Sequence, residues 1–133
     1  MFEKKEKVLK ISPNLERAKS LLKASKKTLR FADSHKLDKE NCGEIFKSYY
    51  ESLVQILHAS SYEKGFKILD HITFSEYLKE VLLSRESSLL FDKYRKIRNS
   101  LVYYGENIPL EFSKNSIKEI KKIIKFVESK LLK

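Results

Sequence analysis

Cysteine occurs once, as Cys42, so neither an intrachain disulfide nor a cysteine-built metal cage can hold this chain together. A lone thiol fits a reducing cytoplasm. Glycine is scarce: Gly43, Gly65 and Gly105 stand alone, and no glycine-rich loop can bring several backbone amides to one phosphate. That argues against a nucleotide-hydrolysing loop. Apolar runs last only a few residues, too short to cross a bilayer, so no membrane association is expected. The first ten residues mix Lys and Glu and lack the apolar stretch and small-residue cleavage site of a secretory signal. His35, His58 and His71 lack the i,i+4 spacing of a helical metal site, and no spacing pairs a Ser or Cys nucleophile with a base. Neither a metal nor a cofactor is expected.

What the chain does have is charge and regularly spaced apolar residues. Its 133 residues suffice for one domain, 1–133, and are too few for two ordinary ones. The formal charge is +10 and is unevenly spread. Met1–Lys36 and Ser113–Lys133 carry +7 and +5, whereas Leu37–Ser84 carries −3 and Arg85–Phe112 carries +1. Such basic ends attract RNA phosphates, with strong salt dependence. The preferred reading of these ends is a solvated lysine face that keeps the protein in solution. Many Lys, Glu and Ile beside little glycine and one glutamine, Gln55, are also the composition of thermostable helices.

Helical periodicity runs through most of the chain. Ser12-Pro13 reads as an N-cap and first-turn proline, followed by Leu15, Ala18, Leu22, Ser25, Leu29 and Ala32 at alternating steps of three and four. Lys19, Lys23, Lys26, Lys27 and Arg30 occupy its other face. Asn41 and Glu44 have the spacing of a reciprocal cap, with Ile45, Tyr49, Leu53 and Ile56 as the second stripe, ending near Ser60. Thr73-Phe74-Ser75-Glu76 reads as a capping box opening a third helix, Phe74 to about Leu83, with Tyr77, Leu78 and Val81 inward. In the fourth, Leu90, Tyr94, Ile97, Leu101 and Tyr104 share a face and Gly105 supplies a left-handed stop. After Pro109, Ser113 caps a fifth helix whose stripe is Ile117, Ile120, Ile124, Val127 and Leu131. No stretch alternates like a strand. The predicted fold is all-α, an antiparallel bundle of about five helices.

One segment puts unusual polar groups on a well-patterned helix: Tyr94-Arg95-Lys96-Ile97-Arg98-Asn99-Ser100-Leu101-Val102-Tyr103-Tyr104-Gly105. At 100° per residue, Arg98 lies about 80° from the Leu90 stripe, near enough to be partly covered and to need an anionic partner. That partner is either phosphate, for which the guanidinium is a planar fork of donors, or a carboxylate such as Glu51. Asn99 both donates and accepts, and Tyr103 and Tyr104 can stack on bases or fill an interface. His71, next to Asp70, is expected to satisfy a neighbouring backbone carbonyl.

Together these residues resemble a HEPN domain, the small helical family named for nucleotide binding in higher eukaryotes and prokaryotes. Tyr50-Glu51-Ser52-Leu53, then Gly65-Phe66-Lys67 and His71, are similar to the family's second helix, its glycine break and the His opening its third element. Arg98-Asn99 near the end of the fourth helix, followed by an aromatic-glycine stop, completes a resemblance spanning most of the chain. It implies a dimerising bundle that in many members is a metal-independent ribonuclease, with an Arg, a polar residue and a His a few residues later. Arg98 and Asn99 match, but Tyr103 or Tyr104 stands where that His would fall. Tyrosine, with its usual pKa near 10, is a poor base at neutral pH. The implied catalytic set is Arg98, Asn99 and Tyr103, with Arg95, Arg98 and Asn99 binding RNA or nucleotide and cleavage weak or absent. Arg98 and Tyr103 point about 140° apart on a regular helix, so two chains of a homodimer are expected to share one groove. The resemblance further implies a toxin–antitoxin pairing with a nucleotidyltransferase, for which Tyr104 is the first candidate tyrosine for adenylylation and Tyr103 the second. An active metal-independent ribonuclease and a purely structural bundle are the alternatives.

Overall fold

The computed structural model describes residues 1–132. A short 3-10 turn, Phe2–Lys4, leads into β1 (Val8–Lys10); α1 (Leu15–Asp33), α2 (Cys42–Glu63), β2 (Phe66–Ile68), α3 (Ile72–Glu80), α4 (Arg85–Tyr103) and α5 (Leu110–Ser129) follow. The architecture is an all-helical bundle with one small ladder, and no described helix is long and apolar enough to cross a membrane.

α2 forms the hub, packing against α1, α5, α4 and β2. Phe46, Leu53, Ile56 and Leu57 are fully buried within an arc of about 100°, while Glu44 and Glu51 on the opposite side stay exposed. Small residues bring α1 close to it. Ser25 Oγ donates to the Ser52 carbonyl at 2.8 Å and Ser52 Oγ to the Ser25 carbonyl at 2.9 Å. Ala18 and Ala32 lie on the same face of α1. α2 also outruns its expected end: Ser60 and Ser61 form part of its last turns. Ser60 Oγ meets the Tyr77 hydroxyl at 2.7 Å and Ser61 Oγ donates to the His58 carbonyl at 3.0 Å, so both hydroxyls are satisfied inside the helix packing.

The caps differ from the expected ones because competing polar groups lie one to three residues away. Asn14, not Ser12, caps α1, its side chain accepting from the Arg17 N–H at 3.0 Å. Asn41 makes no reciprocal cap with Glu44; its carboxamide accepts from the Asp38 N–H at 2.8 Å, and Glu44 pairs with Lys47. Asp70 holds the start of α3, accepting from both the N–H and the hydroxyl of Thr73, which is therefore no capping box with Glu76. Glu76 pairs with Lys5 at 3.3 Å. α3 ends at Glu80, and Leu83, expected within it, sits at φ 58°, exposed. α5 begins at Leu110 behind Pro109, while Ser113 lies inside it, buried, donating to the Cys42 carbonyl.

No sequence pattern announces the ladder. β1 and β2 pair antiparallel as Val8↔Ile68, Leu9↔Lys67 and Lys10↔Phe66, burying Val8 and Ile68. Gly65 makes this joint possible. Its φ is +88°, and a Cβ there would sit 2.8 Å from the Ile11 carbonyl oxygen. Gly105, at φ +63°, is the left-handed stop the sequence predicts. Tyr104, expected on the buried stripe of α4, is instead 75% exposed, because it is the C-cap residue and the helix has already ended.

Candidate functional site

The polar side of α4 faces the first turn of α3 across an open cleft of about 440 Å³. Arg95, Arg98, Asn99 and Tyr103 line one wall, and Asp70, His71 and Ile72 the other. Four of the five residues singled out from the sequence thus converge, and Tyr104 lies outside the lining. The expected 140° divergence does not separate Arg98 from Tyr103. The guanidinium carbon lies 6.0 Å from the Tyr103 ring, since two long side chains close a gap that their Cα positions leave open.

The two arginines differ in what neutralises them. Arg95 is mostly covered and engages Asp92 through Nη2 at 2.8 Å and Nε at 3.2 Å. Its guanidinium, helped by Lys96, holds the Asp92 carboxyl below the usual range. Arg98 has no carboxylate within ion-pair distance among the described residues. The pairing with Glu51 is not formed. Arg98 donates to Asn99 Oδ1 at 3.2 Å and lies over the Tyr50 ring at 5.8 Å as well as near that of Tyr103. Two aromatic rings and an amide hold a positive charge that makes no ion pair with Asp70, the carboxylate in the cleft's other wall.

His71 is the residue that sequence reasoning left out of the site. It is the N-cap residue of α3 and makes no cap hydrogen bond. The expected carbonyl bond is replaced by a bond between Nδ1 and the Tyr50 hydroxyl at 3.0 Å. Tyr50 is itself fully buried and stacked on Phe91 at 5.7 Å. Burial pushes the Tyr50 phenol far above its ordinary pKa, so it remains protonated. Burial, with the charges of Arg98 and Arg95, pushes the His71 imidazole below its ordinary 6.5, and Asp70 only partly offsets this. At neutral pH the ring is neutral, and Nε2 is the nitrogen left for a ligand. In the sequence only the adjoining Asp70 and the nearby helix start hint at this; the partners, Tyr50 and Arg98, lie far along the chain.

Elsewhere the described residues contain no cluster of His, Cys, Asp and Glu able to hold a metal ion. Cys42 is buried, its thiol donating to the Ile108 carbonyl at 3.4 Å. The cleft as it stands offers one uncompensated guanidinium, one neutral imidazole, an amide and an exposed phenol ring. Comparison with known proteins found no matching family model, curated sequence or solved structure.

Proposed function

We propose that this chain is a HEPN-like protein that binds the phosphate of RNA or a nucleotide in the Arg98 cleft, works as a homodimer and partners a nucleotidyltransferase in a toxin–antitoxin-type pair. The observation that carries the binding step is that Arg98 lacks a carboxylate while its neighbour Arg95 has one. A partly covered guanidinium without an internal anion is a site for an external one. Tyr103, 68% exposed beside it, supplies a stacking face for a base, and Asn99 a donor and acceptor. For the dimer, support comes from Ile72 and Tyr103 in the cleft and from Val102 and Tyr104 near the end of α4, large apolar or aromatic side chains left exposed. The open Tyr104 phenol also favours its role as an acceptor for adenylylation. Protein made together with its neighbouring gene product is expected to gain one adenylyl group by intact mass and to lose it in Tyr104→Phe. An unchanged mass without co-purification removes the pairing.

His71 favours a second reading, metal-free cleavage of RNA. Nε2 takes the proton of a ribose 2′-hydroxyl as O2′ bonds to phosphorus, and Arg98 bears the negative charge building on the phosphoryl oxygens. The P–O5′ bond then breaks. The leaving oxygen takes a proton from water, and the imidazolium neutralises the hydroxide so formed, leaving a 2′,3′-cyclic phosphate and a 5′-hydroxyl. One experiment separates the readings: end-labelled single-stranded RNA titrated and incubated with chelator present. Arg98→Ala is expected to weaken binding about 10- to 100-fold, the worth of a charge-assisted hydrogen bond pair. His71→Ala keeps binding and lowers cleavage about 10²- to 10⁴-fold. Undiminished binding by Arg98→Ala sinks both readings, and intact RNA after incubation with the wild type sinks only the second.

A further inference from the structure

The helices remote from the cleft carry a second basic feature, and the fold gives it a shape the sequence alone does not. α1 and α5 are stitched together by Lys26–Glu128 at 3.0 Å and Lys121–Asp33 at 2.6 Å. Each pair lies two turns from the other, and the order is reversed on the second helix, so the two run antiparallel. At 100° per residue, the buried residues of α1, namely Ala18, Ser25 and Ala32, lie about 80–120° to one side of Lys26. Lys19, Lys23, Lys27 and Arg30 lie about 20–100° to the other side. On α5, Ile120, Ile124 and Val127 lie about 60–120° to that first side of Lys121, while Lys118, Lys122 and Lys125 lie about 40–100° to the other. Antiparallel helices with the same sense of offset turn their cationic stripes to the same outer face.

The acidic residues that share that face are confined to the first turns of the two helices. Asp33 and Glu128 are used in the junction, and Glu119 accepts from the Tyr94 hydroxyl on the α4 side. Glu16 and Glu111 lie about 80° to the cationic side, at the ends of the stripes in the first turns, where the helix dipole favours them. The cations named in the double stripe are exposed, and among the described residues no carboxylate pairs with them; Lys114, at the start of the α5 stripe, pairs with Glu111. From Lys19 to Arg30 the α1 stripe runs about 16 Å. We infer that this two-helix face is a binding surface for the sugar–phosphate backbone of RNA, engaging phosphates from both rows. A lipid surface suits it less, because the stripes carry no large apolar side chain to insert; Phe31 lies about 140° round α1 from Lys26. None of these residues lines the Arg98 cleft, so the inference goes beyond that site.

The test is the salt dependence of binding to a fluorescein-labelled oligo-uridine, with full-length protein. The combined Lys23→Gln, Lys27→Gln, Lys118→Gln and Lys122→Gln variant is expected to lower the slope of log K against log salt by about 3, at roughly 0.7 for each phosphate no longer neutralised. Arginine at the same four positions restores it, which separates the effect of charge from that of folding. Arg98→Ala changes the slope by less than about 1, so failure of the cleft and failure of this face give different results. An unchanged slope and affinity in the glutamine variant overturn the inference. So does binding confined to phosphatidylserine vesicles, or a wild-type protein that ignores the RNA at low salt.

Discussion

Phe74→Ala is expected to cost about 3–5 kcal/mol, a large share of the roughly 5–15 kcal/mol that holds a domain together. Phe74 is fully buried and touches three other rings: His58 edge-on at 4.7 Å, Phe91 at 6.2 Å and His71 at 6.3 Å. Truncation removes the transfer energy of a benzyl group and leaves a void that rings pinned to separate helices cannot collapse into. In urea the midpoint falls while the slope of the transition holds, since the surface exposed on unfolding barely changes. Phe74→Leu, which keeps much of the volume, loses far less. Tyr104→Ala, at an exposed position, stays within about 0.5 kcal/mol. A loss for Phe74→Ala no larger than that of Tyr104→Ala overturns this account of the core. Because His71 leans on Phe74, the same truncation loosens one wall of the cleft, coupling the stability of the core to the site.

That coupling marks the boundary of what the sequence discloses. Long amphipathic stripes are legible because a 3.6-residue period repeats over several turns, and α1, α4 and α5 carry it plainly. α2 is legible as a helix but not as the hub, since a wide buried face that leaves only a narrow polar stripe around Glu44 and Glu51 weakens the contrast on which periodicity depends. The ladder is too short to show alternation, and its strands lie far apart in the chain, so only Gly65 hints that two segments meet there. Expected caps miss by a few residues wherever Ser, Asn, Asp and Thr cluster, because local spacing does not decide which of them wins. The site divides in the same way. Arg95, Arg98, Asn99 and Tyr103 lie within one helix and are visible as a group. His71 becomes part of the cleft only when α3 is laid against α4 and Tyr50 comes up beneath it. The expectation that two chains are needed to bring Arg98 and Tyr103 together counts Cα directions and neglects side-chain length.

Lowering the pH from 6.5 toward 4 is expected to destabilise the fold by about 2–3 kcal/mol through one residue, His58. Its ring lies between Tyr62 and Phe74, with Nδ1 buried and unpartnered. Burial, and then the positive charges of His71 and Arg17, push its pKa from 6.5 down to about 4. The sign follows from proton counts. Between those two values the unfolded chain binds a proton that the folded one refuses, so acidification draws the equilibrium toward unfolding. The contribution is complete above pH 6.5, drains away as pH falls and levels off below about 4. His71, shifted down as well, adds to the slope in the same direction. Asp33 and Asp92, whose pKa values are lowered, are held as carboxylates and bring their loss only at more acid pH. His58→Phe removes both the titrating nitrogen and the orphaned acceptor while keeping an aromatic edge against Phe74. Urea midpoints for this variant are expected to vary much less between pH 6.5 and about 4.5 than those of the wild type, with stability at neutral pH retained or raised. Parallel pH profiles for the two proteins would move the acid sensitivity away from His58 and leave its buried nitrogen without the energetic role assigned to it.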